Sequence, residues 1–524
     1  MKRLFTFLAA TVMTVAAMAT DYTDSLAIYI NGSSTPMTVP ATISMNQASN
    51  GTYTFTLKNF TLTMGGQTMY IGNVQLDDVR AFNGSNGRTI LVGGDDVEIQ
   101  SGDDASKSWI GPMMGDVSVI LRGYQVDNRF FANLDIEVES MNMAIRCVFG
   151  RGFSLINGGF ETYHTASVSM EGNTATSDEP DGWHSFMSAS GDPTLVYLAG
   201  YNPHTFISDL VRPGSNGKHS LMLTSVDMWI AIANGTVTTG RINTGSMTAD
   251  DLSNHAWLSL DSTGTDAKGD PFYQYMNGRP DSLALWVKFK QGTPNADHPY
   301  ATVSAIITDG TYYQDPKGDD LYNDNVMAVA RNNRIESNNN EWQRISIPFD
   351  YASYDNATGR AILATISTNA DPGAGSTDTL YVDDAELIYR NYVNSVSFNG
   401  EKRDLVFDED HDCEVSFNAQ GKQVQPGDIQ FDVAPHSVIL AEVDDEEDEP
   451  CIDFAIMSDD LSSYYTVEVT LTGADLTAIK SVKGATKVTT PAIYNISGQR
   501  VSSMQKGQVY ILRNADGTTK KILK

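Results

Sequence analysis

From about residue 20 to residue 150, apolar and polar side chains alternate with period two, as in Tyr53-Thr-Phe55-Thr-Leu57 and Leu134-Asp-Ile136-Glu-Val138. Successive side chains of a strand point to opposite faces, so this pattern predicts amphipathic strands with one face in a core. Clusters of turn formers such as Asn83-Gly-Ser-Asn-Gly87 separate the runs, and helical periodicity is nearly absent. The segment therefore predicts a meander of strands, either a sandwich or a closed barrel. Further along, Leu283, Leu285, Val287 and Phe289 alternate with Ala284, Trp286, Lys288 and Lys290. The first set belongs to a core between two sheets, and the second suits a sheet face partly open to water.

The start of the chain follows a different pattern. Lys2-Arg3 precedes an apolar run from Leu4 to about Ala16 and then Ala17-Met18-Ala19. These are the basic, apolar and small-residue parts of a secretory signal peptide, so mature protein is expected to begin near Thr20. The run is too short to span a bilayer by preference, and no later stretch approaches the roughly 18 consecutive apolar residues of a transmembrane helix. The expected location is the outer cell surface or the extracellular space.

At 524 residues the chain should hold two to four domains. Its 35 Lys and Arg against 65 Asp and Glu leave a net charge of −30. That excludes a nucleic-acid binder, because phosphate contacts need basic surface. Of the three cysteines, Cys413 and Cys451 could pair, whereas Cys147 in an apolar run has the setting of a small buried residue. The run Glu442–Glu449, with seven carboxylates in eight residues, is expected to be a solvated loop.

Several motifs carry family resemblances. Leu26-Ala-Ile-Tyr-Ile-Asn-Gly32 and Gly51-Thr-Tyr-Thr-Phe-Thr-Leu-Lys-Asn-Phe60 make residues 20–150 resemble the calycin-like domain of secreted Bacteroidetes proteins. The resemblance implies a β-barrel, acting as a spacer or a small-ligand carrier, with Phe55 and Phe131 as bulky inward residues that would fill it. Residues 151–392 resemble the carbohydrate-metabolism domain (PCMD) of the same phylum. The match rests on Leu155-Ile-Asn-Gly-Gly-Phe-Glu161, Glu179-Pro-Asp-Gly-Trp183, Gly278-Arg-Pro-Asp-Ser-Leu283 and Thr379-Leu-Tyr-Val-Asp-Asp-Ala-Glu-Leu387. Its two ends are similar to carbohydrate-binding jelly rolls, which implies a two-sheet sandwich whose first and last strands lie side by side. Residues 393–480 form a third, acidic and strand-rich unit. Pro491-Ala-Ile-Tyr-Asn-Ile-Ser-Gly-Gln-Arg-Val501 with Lys506-Gly-Gln-Val-Tyr-Ile-Leu512 makes residues 488–524 resemble a C-terminal sorting domain of type IX secretion, a small sandwich. With residues 1–19 as signal peptide, the expected fold is all-β throughout: barrel, jelly roll and small C-terminal β domains.

Catalytic motifs are mostly absent. There is no H-E-x-x-H, no G-x-S-x-G and no clustered His pair among the eight histidines. Gly214-Ser-Asn-Gly-Lys218-His219 lacks phosphate-loop spacing and is expected to be a turn. Asp408, Asp410 and Asp412 imitate an EF-hand, but Cys413 stands where Gly is needed. A glycoside hydrolase needs only two facing carboxylates, so that alternative stays open beside a glycan-binding protein and a purely structural or adhesive one. For glycan binding the candidates are Trp286, whose indole could stack on a pyranose, and the loop residues Tyr273, Tyr275, Arg279, Tyr312 and Tyr313. Trp183, Trp229, Trp257 and Trp342 sit in apolar contexts that predict core positions. The jelly-roll resemblance implies that Glu161 lies close to Asp383, a pair that with backbone carbonyls suits a structural calcium ion; otherwise one is exposed and the other caps a turn.

Overall fold

The period-two alternation is realised as eight antiparallel strands that close on themselves. The computed structural model describes residues 19–33, 36–64, 66–228, 232–319, 321–373, 377–444 and 451–473, and the strand segments 492–495, 500–501, 509–513 and 519–523. The barrel consists of β1 (Thr20–Ile30), β2 (Met37–Gln47), β3 (Tyr53–Met64), β4 (Gln67–Asn83), β5 (Thr89–Glu98), β6 (Asp116–Val126), β7 (Arg129–Val138) and β8 (Met143–Phe149). Closure comes from β1 pairing with β8, with Leu26 opposite Phe149. A closed sheet leaves no unpaired edge, which settles the choice between sandwich and barrel.

All eight strands contribute to the barrel's interior core, which includes Leu26, Ile43, Phe55, Leu121 and Leu134. Phe55 points inward as expected, but Phe131 does not. On β7 the inward set is Phe130, Ala132, Leu134 and Ile136, so Phe131 falls on the outer wall, its ring 4.2 Å from that of Phe153.

The next region is layered. A five-stranded sheet runs in the order Thr205–Ser208, Ser220–Thr224, Thr379–Ile388, Ser282–Lys290, Gln343–Pro348. A second sheet runs Thr236–Thr238, Ala361–Ser367, Ala301–Thr308, Val326–Ile335, with the short strand Gln274–Tyr275 also pairing with Ala361–Ser367. Leu283, Leu285, Val287 and Phe289 of the first meet Val303, Ala305 and Ile307 of the second in one core. The second sheet is covered on its other side too, where Ile306 and Leu363 pack with Ala256, Leu258 and Tyr313 of a smaller sheet. Burial of both faces explains why Ala361–Ser367 is almost continuously apolar, while Ser282–Lys290 alternates.

The implied side-by-side first and last strands take another form. The first strands of this region, Tyr163–Met170 and Asn173–Pro180, make a hairpin of their own. Against the last strand lies instead the turn at Asn157–Phe160, where Ala385 N–H donates to Gly158 O at 2.8 Å.

The chain divides into two compact units. One runs through Val393 and includes Val433–Ile439 and Ile456–Tyr465; the other holds Asn394–Asp432, Leu440–Ala455 and the chain from Thr466. Most residues of the second belong to a three-stranded sheet (Glu401–Asp404, Val393–Phe398, Ile429–Val433) and a four-stranded one (Asp412–Asn418, Tyr464–Thr472, Cys451–Met457, Val438–Asp444), some of whose strand ends are counted in the first. Phe398 meets Phe417 at 5.8 Å and Phe431 meets Phe454 at 4.8 Å. No disulfide joins Cys413 to Cys451. Their strands are separated by Tyr464–Thr472, and two strand spacings are roughly 9.5 Å, beyond disulfide reach. Residues 488–524 contribute, among the described residues, one four-stranded sheet in the order Arg500–Val501, Ala492–Asn495, Val509–Arg513, Thr519–Leu523. The signal peptide, Trp229 and most of the acidic run lie outside the described residues. No described helix is long and apolar enough to cross a membrane.

Within the first unit one buried carboxylate connects distant parts of the chain. Asp459 accepts from Arg88 Nη2 at 2.6 Å, from Arg279 Nη2 at 2.8 Å and from Arg279 N at 2.6 Å. Arg88 also lies over the Tyr124 ring, 4.4 Å from its centroid. Burial alone would raise the Asp459 carboxyl, but the charges and hydrogen bonds of Arg88 and Arg279 outweigh it and hold the group below its usual range. Removing one partner of a buried pair leaves an uncompensated charge and costs about 3–5 kcal/mol. Asp459→Asn should therefore shift the denaturant midpoint, followed by tryptophan fluorescence, far below wild type. Glu401→Gln, which breaks the exposed pair with Arg403, should cost less than about 1 kcal/mol. Because the folded carboxyl is depressed, its stabilisation is complete above the unfolded value near pH 4 and is lost as pH falls through the folded one. The gap between wild type and Asp459→Asn should accordingly close on acidification below about pH 4.

Candidate functional site

The layering leaves the outer side of the five-stranded sheet facing water, and alternation places Trp286 there, half-buried. Its cross-strand neighbours are Arg344 and Asp383. The Arg212 guanidinium lies 5.5 Å from the Trp286 ring centroid, held by Asp384 Oδ2 at 2.5 Å from its Nε. The adjoining row runs Met222, Tyr381, Lys288 across three strands. Trp342, predicted to be core, instead sits half-buried with its ring 6.4 Å from Tyr381, because it immediately precedes the edge strand Gln343–Pro348. Two indoles, a phenol and three cations thus share one face. Flat rings can stack on the C–H side of a sugar while guanidinium and ammonium groups donate to hydroxyls or carboxylates.

The loop candidates have other partners. Tyr273 and Tyr275 meet edge to face at 5.4 Å, and the Arg129 guanidinium from the barrel lies 3.7 Å from the Tyr275 centroid. Arg279 is committed to Asp459. Tyr313 is 2% exposed, in the core beneath the smaller sheet. Those two sequence candidates are therefore committed elsewhere, Arg279 to a buried carboxylate and Tyr313 to a core. Tyr312 is exposed and stacks on Trp257 at 5.7 Å. Trp257 is accordingly half-buried rather than core, whereas Trp183, 1% exposed with Nε1 donating to Ile156 O at 3.0 Å, is core as predicted.

Glu161, in the loop before Tyr163–Met170, and Asp383, on the strand Thr379–Ile388, have different environments. Glu161 is exposed and accepts the backbone N–H groups of Lys218 and His219 at 3.0 and 3.2 Å, closing the Gly214–His219 turn. Asp383 is buried, with Oδ2 accepting Arg212 N–H at 2.9 Å and Oδ1 without a hydrogen-bond partner. Burial pushes its carboxyl up to about 6.

A second constellation was not visible in the sequence. His164, on Tyr163–Met170, faces Glu179 of the paired strand, whose Oε2 lies 3.5 Å from His164 Nε2. Asp266, about a hundred residues on, brings Oδ2 to 3.4 Å from His164 Nε2 and 3.5 Å from His184 Nε2. The expectation of no clustered His pair is corrected here: the hairpin and the loop after Trp183 converge in space, not in sequence. Glu179 opens the Glu-Pro-Asp-Gly-Trp motif and His184 follows directly after Trp183, and that adjacency was the available signal. The Glu179 carboxylate 3.5 Å away outweighs burial and raises His164 to about 9, while contact with His184 and the backbone overcomes burial to lower Asp266 to about 2. Asp266 also lines a cavity of about 620 Å³, together with Phe272, Arg241, Met187 and Tyr197.

Comparison with known proteins gives one family: residues 18–151 match the calycin-like β-barrel domain, in agreement with the closed eight-stranded barrel. No curated protein matches the chain. A solved structure of Clostridium perfringens ZmpB, its M60 catalytic domain with the CBM51-1 and CBM51-2 domains, aligns with 97% of this chain at 9% identity and a TM-score of 0.13. This chain spans 43% of that one, and a likeness at that score carries no argument about fold or function.

Proposed function

We propose that the protein is an exported glycan-binding protein that recognises its ligand on the water-facing side of the five-stranded sheet. The observation that supports this reading is the half-buried Trp286 beside Tyr381 and Trp342, interleaved with Arg212, Lys288 and Arg344. Rings that already have one face packed lose little conformational freedom when a sugar covers the other. The PCMD resemblance of residues 151–392 points the same way. The resemblance of residues 488–524 to a sorting domain adds a type IX secretion machinery as partner and a surface or extracellular location.

On a glycan array, Trp286→Ala should lose binding by about 10–100-fold, the effect of one stacking aromatic worth 1–3 kcal/mol, with an unchanged melting temperature. Equal binding by wild type and variant would remove the sheet face as the site. Release of reducing ends from a polysaccharide panel would favour a glycoside hydrolase instead.

We further propose structural calcium at the Asp383 end of the sandwich. The reading is supported by the unpartnered Asp383 Oδ1 and by the oxygen chemistry of the Glu161 pair. Calcium should raise the melting temperature of wild type and leave that of Asp383→Asn unmoved in the same titration. A calcium response that persists in Asp383→Asn would exclude the site.

A further inference from the structure

Among the described residues of the first unit, His164, Glu179, Asp266 and His184 form a group whose facing atoms are buried, mutually directed and unsatisfied. His164 Nε2, Glu179 Oε2, Asp266 Oδ2 and His184 Nε2 all lack a hydrogen-bond partner in the protein. Glu179 and His184 are 0% exposed. One ligand atom from each of His164, Glu179 and Asp266 falls within a 4.8 Å group. An unpartnered polar atom in a dry interior costs on the order of 1–3 kcal/mol, so four of them aimed at one another call for a common occupant.

We propose that these four side chains bind a single zinc-class transition-metal ion. The donor chemistry selects it: two imidazole nitrogens and two carboxylate oxygens suit zinc, whereas calcium and magnesium take oxygen alone. The spacing agrees as well. Tetrahedral bonds of about 2.0–2.1 Å place neighbouring donors roughly 3.3–3.4 Å apart, and the three closest pairs here lie at 3.5, 3.4 and 3.5 Å. A protonated His164 bridging two carboxylates would instead draw its partners to about 2.7–2.9 Å.

The outer atoms of His164, Glu179 and Asp266 are already held, whereas His184 Nδ1 has no hydrogen-bond partner. His164 Nδ1 lies 3.1 Å from Asp181 Oδ1, which assigns the ring proton to Nδ1 and leaves Nε2 as the donor. Asp181 is in turn fixed by Lys268 Nζ at 2.8 Å. Glu179 Oε1 accepts from Ser185 N, Ser185 Oγ and Ser188 Oγ at 2.5, 2.7 and 2.9 Å. Asp266 Oδ1 accepts the backbone N–H groups of Lys268, Gly269 and Asp270 at 2.9, 2.8 and 2.8 Å. Each carboxylate thus anchors one oxygen and presents the other. The ion would pin the Tyr163–Pro180 hairpin, the His184 loop and the Asp266–Asp270 turn together at the wall of the 620 Å³ cavity, independently of the glycan-binding face.

The test uses the full-length chain, stripped with chelator and titrated with zinc chloride by calorimetry and with cobalt(II) by visible absorption. One equivalent of zinc should bind, cobalt should give intense tetrahedral bands that zinc removes, and zinc should raise the melting temperature. His164→Gln and Glu179→Gln should abolish the cobalt bands, and Asp181→Asn should weaken zinc by about 10–100-fold through loss of the orienting carboxylate. Asp383→Asn should leave zinc binding unchanged. Folded wild type with no zinc heat and no cobalt bands would overturn the proposal, as would calcium displacing the cobalt or bands that survive in His164→Gln. Should the ligand variants fail to fold, the wild-type cobalt spectrum and the zinc-dependent melting shift decide alone.

Discussion

The buried Asp459 carboxylate is the constraint on which the first unit depends. It receives Arg88 from the loop between β4 and β5, Arg279 from the sandwich, and lies itself in the Ile456–Tyr465 segment. An ion pair in low dielectric is directional and intolerant of a missing partner, so three stretches far apart in sequence are held in one geometry. Neighbouring contacts repeat the device. Arg122 Nε donates to Leu461 O at 3.0 Å, Asn133 Nδ2 donates to Asp460 O at 2.9 Å, and Arg360 Nη1 donates to Asn86 Oδ1 at 2.9 Å. The barrel's outer wall is therefore joined to its surroundings by donors as well as by the Phe131–Phe153 contact, in a chain whose net charge is −30.

That arrangement bears on function through what it leaves open. The sheet that holds Ala361–Ser367 is covered on both faces, so among the sandwich layers the sheet that holds Trp286 meets water, and its outer row becomes the place for recognition. The His164 cluster lies elsewhere, in a hairpin and loops outside both main sheets. The two sites follow different physics. One is a partly wet aromatic surface whose strength would come from stacking, and the other is a dry polar cluster whose orphaned atoms need a cation.

The strands and their inward faces were legible in the sequence because a two-residue period needs only local information: Leu134, Ile136 and Val138, or Leu283, Leu285 and Val287, declare their face by parity alone. The same parity marked Trp286 as outward. It also contradicted the inward assignment of Phe131, whose neighbour Phe130 carries the core face. The calycin-like barrel was legible in its opening motifs for the same reason, since a meander pairs each strand with the next.

Tertiary structure decided everything that rests on distant pairing. Whether Trp342 and Trp257 lie in a core or on a rim depends on which strands form edges, and Arg279 is claimed by an acid 180 residues away. Glu179 and Asp266 are separated by a chain long enough to hold a helix and several strands, so no spacing rule could join them to His164. Sequence by itself determined the all-β class, the barrel's inward faces and the outward Trp286, because alternation is a local property of the chain. The structure alone decided which polar groups meet in a dry interior, because burial and the search of each buried donor and acceptor for a partner are properties of the folded whole.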